Sequence, residues 1–129
     1  MTSMFRLSVI GQISRTVRDI KQAEDWYGRV LGLPHLYTFG TLAFFDCGGV
    51  RLLLSQVGTE PTTESILYWK VDDIQIAWEE LKSKGVEFID APHIVHRHAN
   101  GTEEWMAVFK DQEGRALAIM AFNNPKPVD

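Results

Sequence analysis

The feature that most restricts this chain is that it repeats itself. Val17-Arg18-Asp19-Ile20 and Val71-Asp72-Asp73-Ile74 lie 54 residues apart, and Gly32-Leu33 and Gly85-Val86 lie 53 apart. Each pair encloses an apolar stripe: Ile20, Ala23, Trp26, Tyr27, Val30 and Leu31 in the first, Ile74, Ala77, Trp78 and Leu81 in the second. Steps of three and four residues put each set on one side of a helix. Asp19 and Asp73 suit N-caps, and Gly32 and Gly85 suit stops. The spacing predicts helices from about Asp19 to Leu31 and from about Asp73 to Lys84. A third matched pair, Asp46-Cys47-Gly48-Gly49 and Asp111-Gln112-Glu113-Gly114, reads as a turn into a β-rich run, Val50 to Ser55 and Arg115 to Ala121.

The plan is therefore strand, helix and three strands, made twice. Strands are expected near 9–17, 35–39, 42–46 and 50–55, then near 66–71, 86–97, 104–110 and 115–121. Module one covers about 9–56 and module two about 66–122. Residues 57–65, rich in Thr, Glu, Gly and Pro, read as a linker, and the polar tail 123–129 as frayed. Half of a 129-residue chain buries too little to stand alone, so all of residues 1–129 are expected to form a single α+β domain. Its two βαβββ modules would form a curled sheet with a concave pocket and the helices on the outer face.

Alternation sorts the strand residues into two faces. The helix-facing set is Ile13, Val17, Val50, Leu52 and Leu54, then Leu67, Trp69, Val71, Leu117 and Ile119. Trp26 and Trp78, mid-helix on their stripes, are expected to be buried against it. The opposite, concave face carries Gln12, Ser14 and Thr16; Arg51, Leu53 and Ser55; Ile66, Tyr68 and Lys70; Ala116, Ala118 and Met120. Arg15 falls on the helix side, where a charge is costly unless paired. It implies either an edge strand or a partner carboxylate.

Composition excludes several functions. Thirteen Lys and Arg against 17 Asp and Glu leave a net charge of -4, the wrong sign for a general nucleic-acid or anionic-membrane surface. No apolar run nears the roughly 18 residues that span a bilayer, and the first dozen residues lack the apolar core of a signal peptide. The single cysteine, Cys47, excludes an internal disulfide and suggests a reducing cytoplasm. It has no evident base or helix N-terminus beside it to make it a nucleophile.

The tandem plan, the Val-x-Asp-Ile helix starts, Trp26-Tyr27…Leu31-Gly32-Leu33, Phe44-Phe45-Asp46-Cys47-Gly48-Gly49-Val50-Arg51-Leu52 and Phe109-Lys110-Asp111-Gln112-Glu113-Gly114 resemble the vicinal oxygen chelate superfamily. That superfamily includes glyoxalase I, extradiol dioxygenases, methylmalonyl-CoA epimerase, and fosfomycin- and bleomycin-resistance proteins. The resemblance covers nearly the whole chain and implies a homodimer. It also implies four metal-ligand positions, on the first and last strands of each module. Here they hold Gln12, Leu53, Ile66 and Ala118. Gln occurs at the first position in glyoxalase I-like members, but three of the four side chains offer no donor atom, and metal sites need about three or four. The usual metal site is expected to be absent, with no cofactor, and with it the usual metal-dependent lyase, dioxygenase or epimerase chemistry. Gln12 is expected to satisfy a nearby backbone group.

Three of the four histidines fall in His93-Ile94-Val95-His96-Arg97-His98. On a regular strand His96 and His98 share a face and His93 points away, so the three converge only with a bulge. His96 and His98 with Glu103 or Glu104 would make a relocated metal site; His93 or His96 alone would make a proton donor, and these two are the catalytic candidates. His35, after Pro34, reads as a loop residue. The expected pocket comprises Gln12, Ser14, Arg51, Leu53, Ile66, Tyr68, His96, Trp105 and Ala118, with Arg51 and Lys70 able to meet an anion. The sequence and the resemblance therefore favour a glyoxalase-like protein with a metal-free small-molecule pocket, of the ligand-binding or resistance type, with neither nucleic acid nor membrane as partner. The alternatives are a lyase-, isomerase- or dioxygenase-type enzyme using the 93–98 histidines, or a structural role without ligand.

Overall fold

The computed structural model describes residues 8–58 and 65–123. Most of the expected linker, and the tail beyond Asn123, lie outside the described residues. The chain divides into two units, one on each side of residues 59–64. The first contains β1 (Gln12–Val17), α1 (Ile20–Asp25) running on into a π-helical turn (Trp26–Val30), β2 (His35–Phe39), β3 (Leu42–Cys47) and β4 (Val50–Gln56). The second contains β5 (Tyr68–Lys70), α2 (Ile74–Ser83), β6 (His93–Arg97), β7 (Glu103–Lys110) and β8 (Ala116–Asn123). The sheets have orders β1-β4-β3-β2 and β5-β8-β7-β6. In each, the strand before the helix returns to lie parallel beside the last strand, and the other pairs are antiparallel. This is the βαβββ plan of the sequence, realised twice.

The caps explain where the helices begin. Asp19 Oδ1 accepts the amides of Lys21 and Gln22, and Asp73 Oδ1 accepts that of Ile76. Each satisfies N–H groups that the first helical turn leaves orphaned. Gln56 Oε1, at the end of β4, takes the Ile20 amide at 2.8 Å and so ties the helix start to its sheet. The turn between β3 and β4, at Gly48-Gly49, has positive φ at both residues, 63° and 98°, which a two-residue hairpin needs and side chains resist.

The helix-facing set is buried as the alternation requires at Val17, Leu52, Leu54, Leu117 and Ile119, and half-buried at the rest. Arg15 joins it at 2% exposure, on a strand that is indeed the edge of its sheet. The helix residues need correction. Tyr27, not Trp26, is fully buried, in the series Ile20, Ala23, Tyr27, Val30. The series centres the stripe between Ala23 and Tyr27, and Trp26 falls on its flank, half-buried and edge-on to Tyr27. Trp78 is also half-buried, with Lys82 Nζ 3.9 Å above its ring.

Three strands are shorter than the sequence suggests, among them the one expected near 66–71, which is only Tyr68–Lys70. β1 starts at Gln12, and the expected 86–97 strand is β6 alone. Pro92 has no amide to offer a ladder, and the Val108 amide is taken by the Asp90 side chain at 2.8 Å. Only an isolated Phe88–Phe109 bridge marks the earlier stretch.

Two stability predictions follow from this packing. Tyr27→Ala should cost about 3–5 kcal/mol, as for large aromatic truncations in cores, and Trp26→Ala clearly less, both read by urea denaturation. Asp19→Ala and Asp73→Ala should each lower stability by about 1 kcal/mol.

Candidate functional site

The register decides which side chains share a face. In the first sheet Gln12 lies opposite Arg51, Ser14 opposite Leu53, Asp46 opposite Arg51, and Phe44 opposite both Leu53 and Tyr37. All sit on the face away from α1. The Tyr37 and Phe44 rings stack at 4.6 Å, and the Arg51 guanidinium carbon stands 4.9 Å above the centre of Phe44. Arg51 donates Nε–H to Gln12 Oε1 at 2.6 Å and Nη1–H to the Tyr37 hydroxyl at 3.3 Å. Gln12 is thus engaged by a side chain, not by the backbone group expected. Tyr37 and Phe44 were not singled out in the sequence. The signal for them was the alternation of β2 and β3 once their hairpin is placed.

In the second sheet Tyr68 lies opposite Ala118, Lys70 opposite Met120, Met106 opposite Met120, and Glu104 opposite Phe122. These share the face away from α2, with Lys70 Nζ 5.6 Å from the centre of Phe122. Ile66 precedes β5 and is exposed, whereas Ala118 is fully buried. Trp105 does not belong with them. It lies opposite Ala121, on the helix side with Ala107, Phe109, Leu117 and Ile119, and its indole donates to Glu103. The unbroken β7–β8 ladder fixes this, and the sequence did not settle which residue of β7 begins the alternation.

The histidines are also placed differently. β6 is irregular between Ile94 and His96, so Val95 drops out of the ladder. His93 then faces Met106 and His96 faces Glu104, on the same side. The bulge that convergence requires is present. The rings of His96 and His98 meet edge to face at 4.5 Å, and His98 Nε2 is 2.7 Å from Glu104 Oε2. His93 Nδ1 lies 2.9 Å from the Ala91 carbonyl. Among the described residues, no group of three His, Cys, Asp or Glu side chains is arranged to hold a metal ion.

The family's metal positions fail a more direct test. Leu53, Ile66 and Ala118 present no donor, and the one polar residue, Gln12, already binds a guanidinium. A divalent cation at Gln12 would have to displace Arg51 and tolerate its charge nearby. These residues do not fit a divalent metal.

The helix side offers a charged depression lined by Lys21, Glu24, Asp25, Arg29 and His35, whose groups largely answer one another. Arg29 pairs with Asp25 at 2.9 Å; that bond holds the Asp25 carboxyl below, and the Arg29 guanidinium above, their ordinary values. His35, the first residue of β2 and not a loop residue, meets the Thr38 hydroxyl at 2.7 Å, and Thr38 donates to Glu24. Cys47 ends β3, half-buried.

Compared with known proteins, residues 9–119 match the model of the Glyoxalase/Bleomycin resistance protein/Dioxygenase superfamily, and the chain belongs to that family. Solved structures share its fold at low identity. A protein from the mobile metagenome of V. Pseudocholerae superposes with a TM-score of 0.75 at 22% identity, covering 95% of this chain and 100% of that one. Lactoylglutathione lyase from Agrobacterium tumefaciens gives 0.69 at 20%, covering 90% and 95%. A glyoxalase/bleomycin resistance protein/dioxygenase from Nocardioides gives 0.71 at 17%, covering 98% and 93%. No curated protein matches the sequence. Among the described residues, no helix is long and apolar enough to cross a membrane.

One titration should be visible at this site. Arg97 donates to Glu103 at 2.7 Å and, with the Trp105 indole, holds the Glu103 carboxyl below its ordinary value. A depressed carboxylate stabilises the fold above its unfolded pKa, and the contribution disappears as pH falls through the folded one. Arg97→Ala should move the Glu103 carboxyl titration upward in a carbon-detected NMR experiment.

Proposed function

We propose that this protein binds a small organic molecule without a metal, using the sheet faces turned away from the helices. The observation that carries the reading is the Arg51–Gln12 bond: the one potential family ligand is held by a cation, and the other three positions have no donor. The mixture of guanidinium, hydroxyl and aromatic groups on the first sheet suits a ligand pocket, where a few polar groups orient an otherwise apolar contact. The reading includes a homodimer in a reducing cytoplasm. The apolar side chains exposed on the edge strands, Leu36 and Phe39 on β2, Ile94 and Val95 on β6, support self-association.

A second reading has its own support. The bulge in β6 brings His93 and His96 to one face, and the Glu104 carboxylate orients His98, as in a general acid–base pair. It corresponds to a lyase-, isomerase- or dioxygenase-type enzyme working without the usual ligands.

Elemental analysis of the purified protein should find no stoichiometric zinc, nickel, iron or manganese, and a chelator should leave the melting temperature unchanged. One tightly bound metal per chain, lost in a His96→Ala/His98→Ala double variant, would replace the binding reading with a relocated metal site. Sedimentation at micromolar concentration should give twice the chain mass, and a monomer there removes the dimer.

A further inference from the structure

The chemistry around Arg51 is more specific than a general pocket. A guanidinium carries five N–H donors. Nε–H goes to Gln12 and one Nη1–H to Tyr37, so among the described residues Nη2 and the second Nη1–H remain uncommitted. Both assigned acceptors are neutral. The nearest carboxylate in the ladder, Asp46, lies directly opposite Arg51 but makes no ion pair with it; its Oδ1 instead accepts the Gly49 amide of the hairpin at 3.0 Å. The charge is therefore uncompensated on its face, and it is positioned: fixed on one side by Gln12, on another by Tyr37, and from below by the Phe44 ring. A surface arginine that only solubilised the chain would need none of these restraints.

The Tyr37 hydroxyl adds a second donor. It accepts from Arg51, which leaves its own O–H free to point at an anion held by the guanidinium. On the Tyr37 side the neighbourhood is apolar, with the half-exposed Tyr37 ring, the largely buried Phe44 and the half-buried Leu53; Ser14 and Asp46 are further polar groups of the face. One fixed positive charge favours a monoanion, because a dianion would leave a negative charge without a partner. Planar nitrogens match a planar carboxylate in the two-point fashion typical of arginine.

We infer that Arg51, with the Tyr37 hydroxyl, is the anchor for the carboxylate of a small aromatic or branched apolar monocarboxylate, whose body lies against Tyr37, Phe44 and Leu53. This rests on the metal-independent binding reading above and names its ligand class.

The test is isothermal titration of the full chain, before and after chelation, with benzoate and with benzyl alcohol. Benzoate should bind in the millimolar range or tighter, and benzyl alcohol more weakly. Arg51→Gln should weaken benzoate by about tenfold or more, the loss expected of a charge-assisted pair, while leaving benzyl alcohol unchanged. Tyr37→Phe, which keeps the ring and removes one donor, should weaken benzoate by a smaller factor. Equal affinity for the two probes, unchanged benzoate affinity in Arg51→Gln, or no benzoate binding at all would each overturn the anchor. Equal binding of both probes after chelation would leave the metal-independent reading standing. Binding that appears only before chelation would remove both.

Discussion

The structure depends on the parallel pairing of the first and last strands within each module. Parallel strands cannot be joined by a tight turn; they need a crossover, and here it runs through a helix, which covers the sheet, and two antiparallel strands. Once β1 lies beside β4, the helix between them must pack on one face, and that face becomes the core. The other face is left for function. The same pairing brings residues far apart in sequence, Gln12 and Arg51, into hydrogen-bond contact. A strand order that placed β1 elsewhere would dissolve both the core and the cluster.

Local chemistry reinforces this arrangement at its ends. Asp19 and Asp73 start their helices, and the Gln56 side chain at the end of β4 receives the first amide of α1. In the second module Asp111 organises the corresponding turn: it accepts the Glu113 and Arg115 amides, and Arg115 returns an ion pair to it at 3.3 Å. Both turns are held by an aspartate, Asp46 accepting the Gly49 amide as Asp111 accepts those of Glu113 and Arg115, but the first adds two positive-φ glycines and the second an ion pair.

Much of the fold was legible because the repeat, the caps and the alternation all speak of backbone periodicity. The helix limits matched their capping aspartates, and all eight expected strands were found, three of them shorter. The core residues of α1 were less legible, because Trp26 and Tyr27 are adjacent and a stripe only a few residues wide does not choose between them. Trp105 was misplaced for a related reason: alternation gives two faces but not which is which, and only the pairing with β8 decides. The bulge at Val95 lay beyond the sequence because nothing in His-Ile-Val-His marks which residue leaves the ladder. Of the candidate site, Gln12, Ser14, Arg51 and Leu53 do share a face. The stacked pair Tyr37–Phe44 depended on a register that composition does not encode.

The contact between Arg51 and Gln12 has a consequence for how this face responds to its surroundings. A metal ion arrives from solution, can be exchanged for another, and in some cases changes oxidation state. A guanidinium does none of these things, because it is a covalent part of the chain. The positive charge on this sheet is therefore encoded in the gene and present from the moment the chain folds, with no loading step and no dependence on the supply of a trace element.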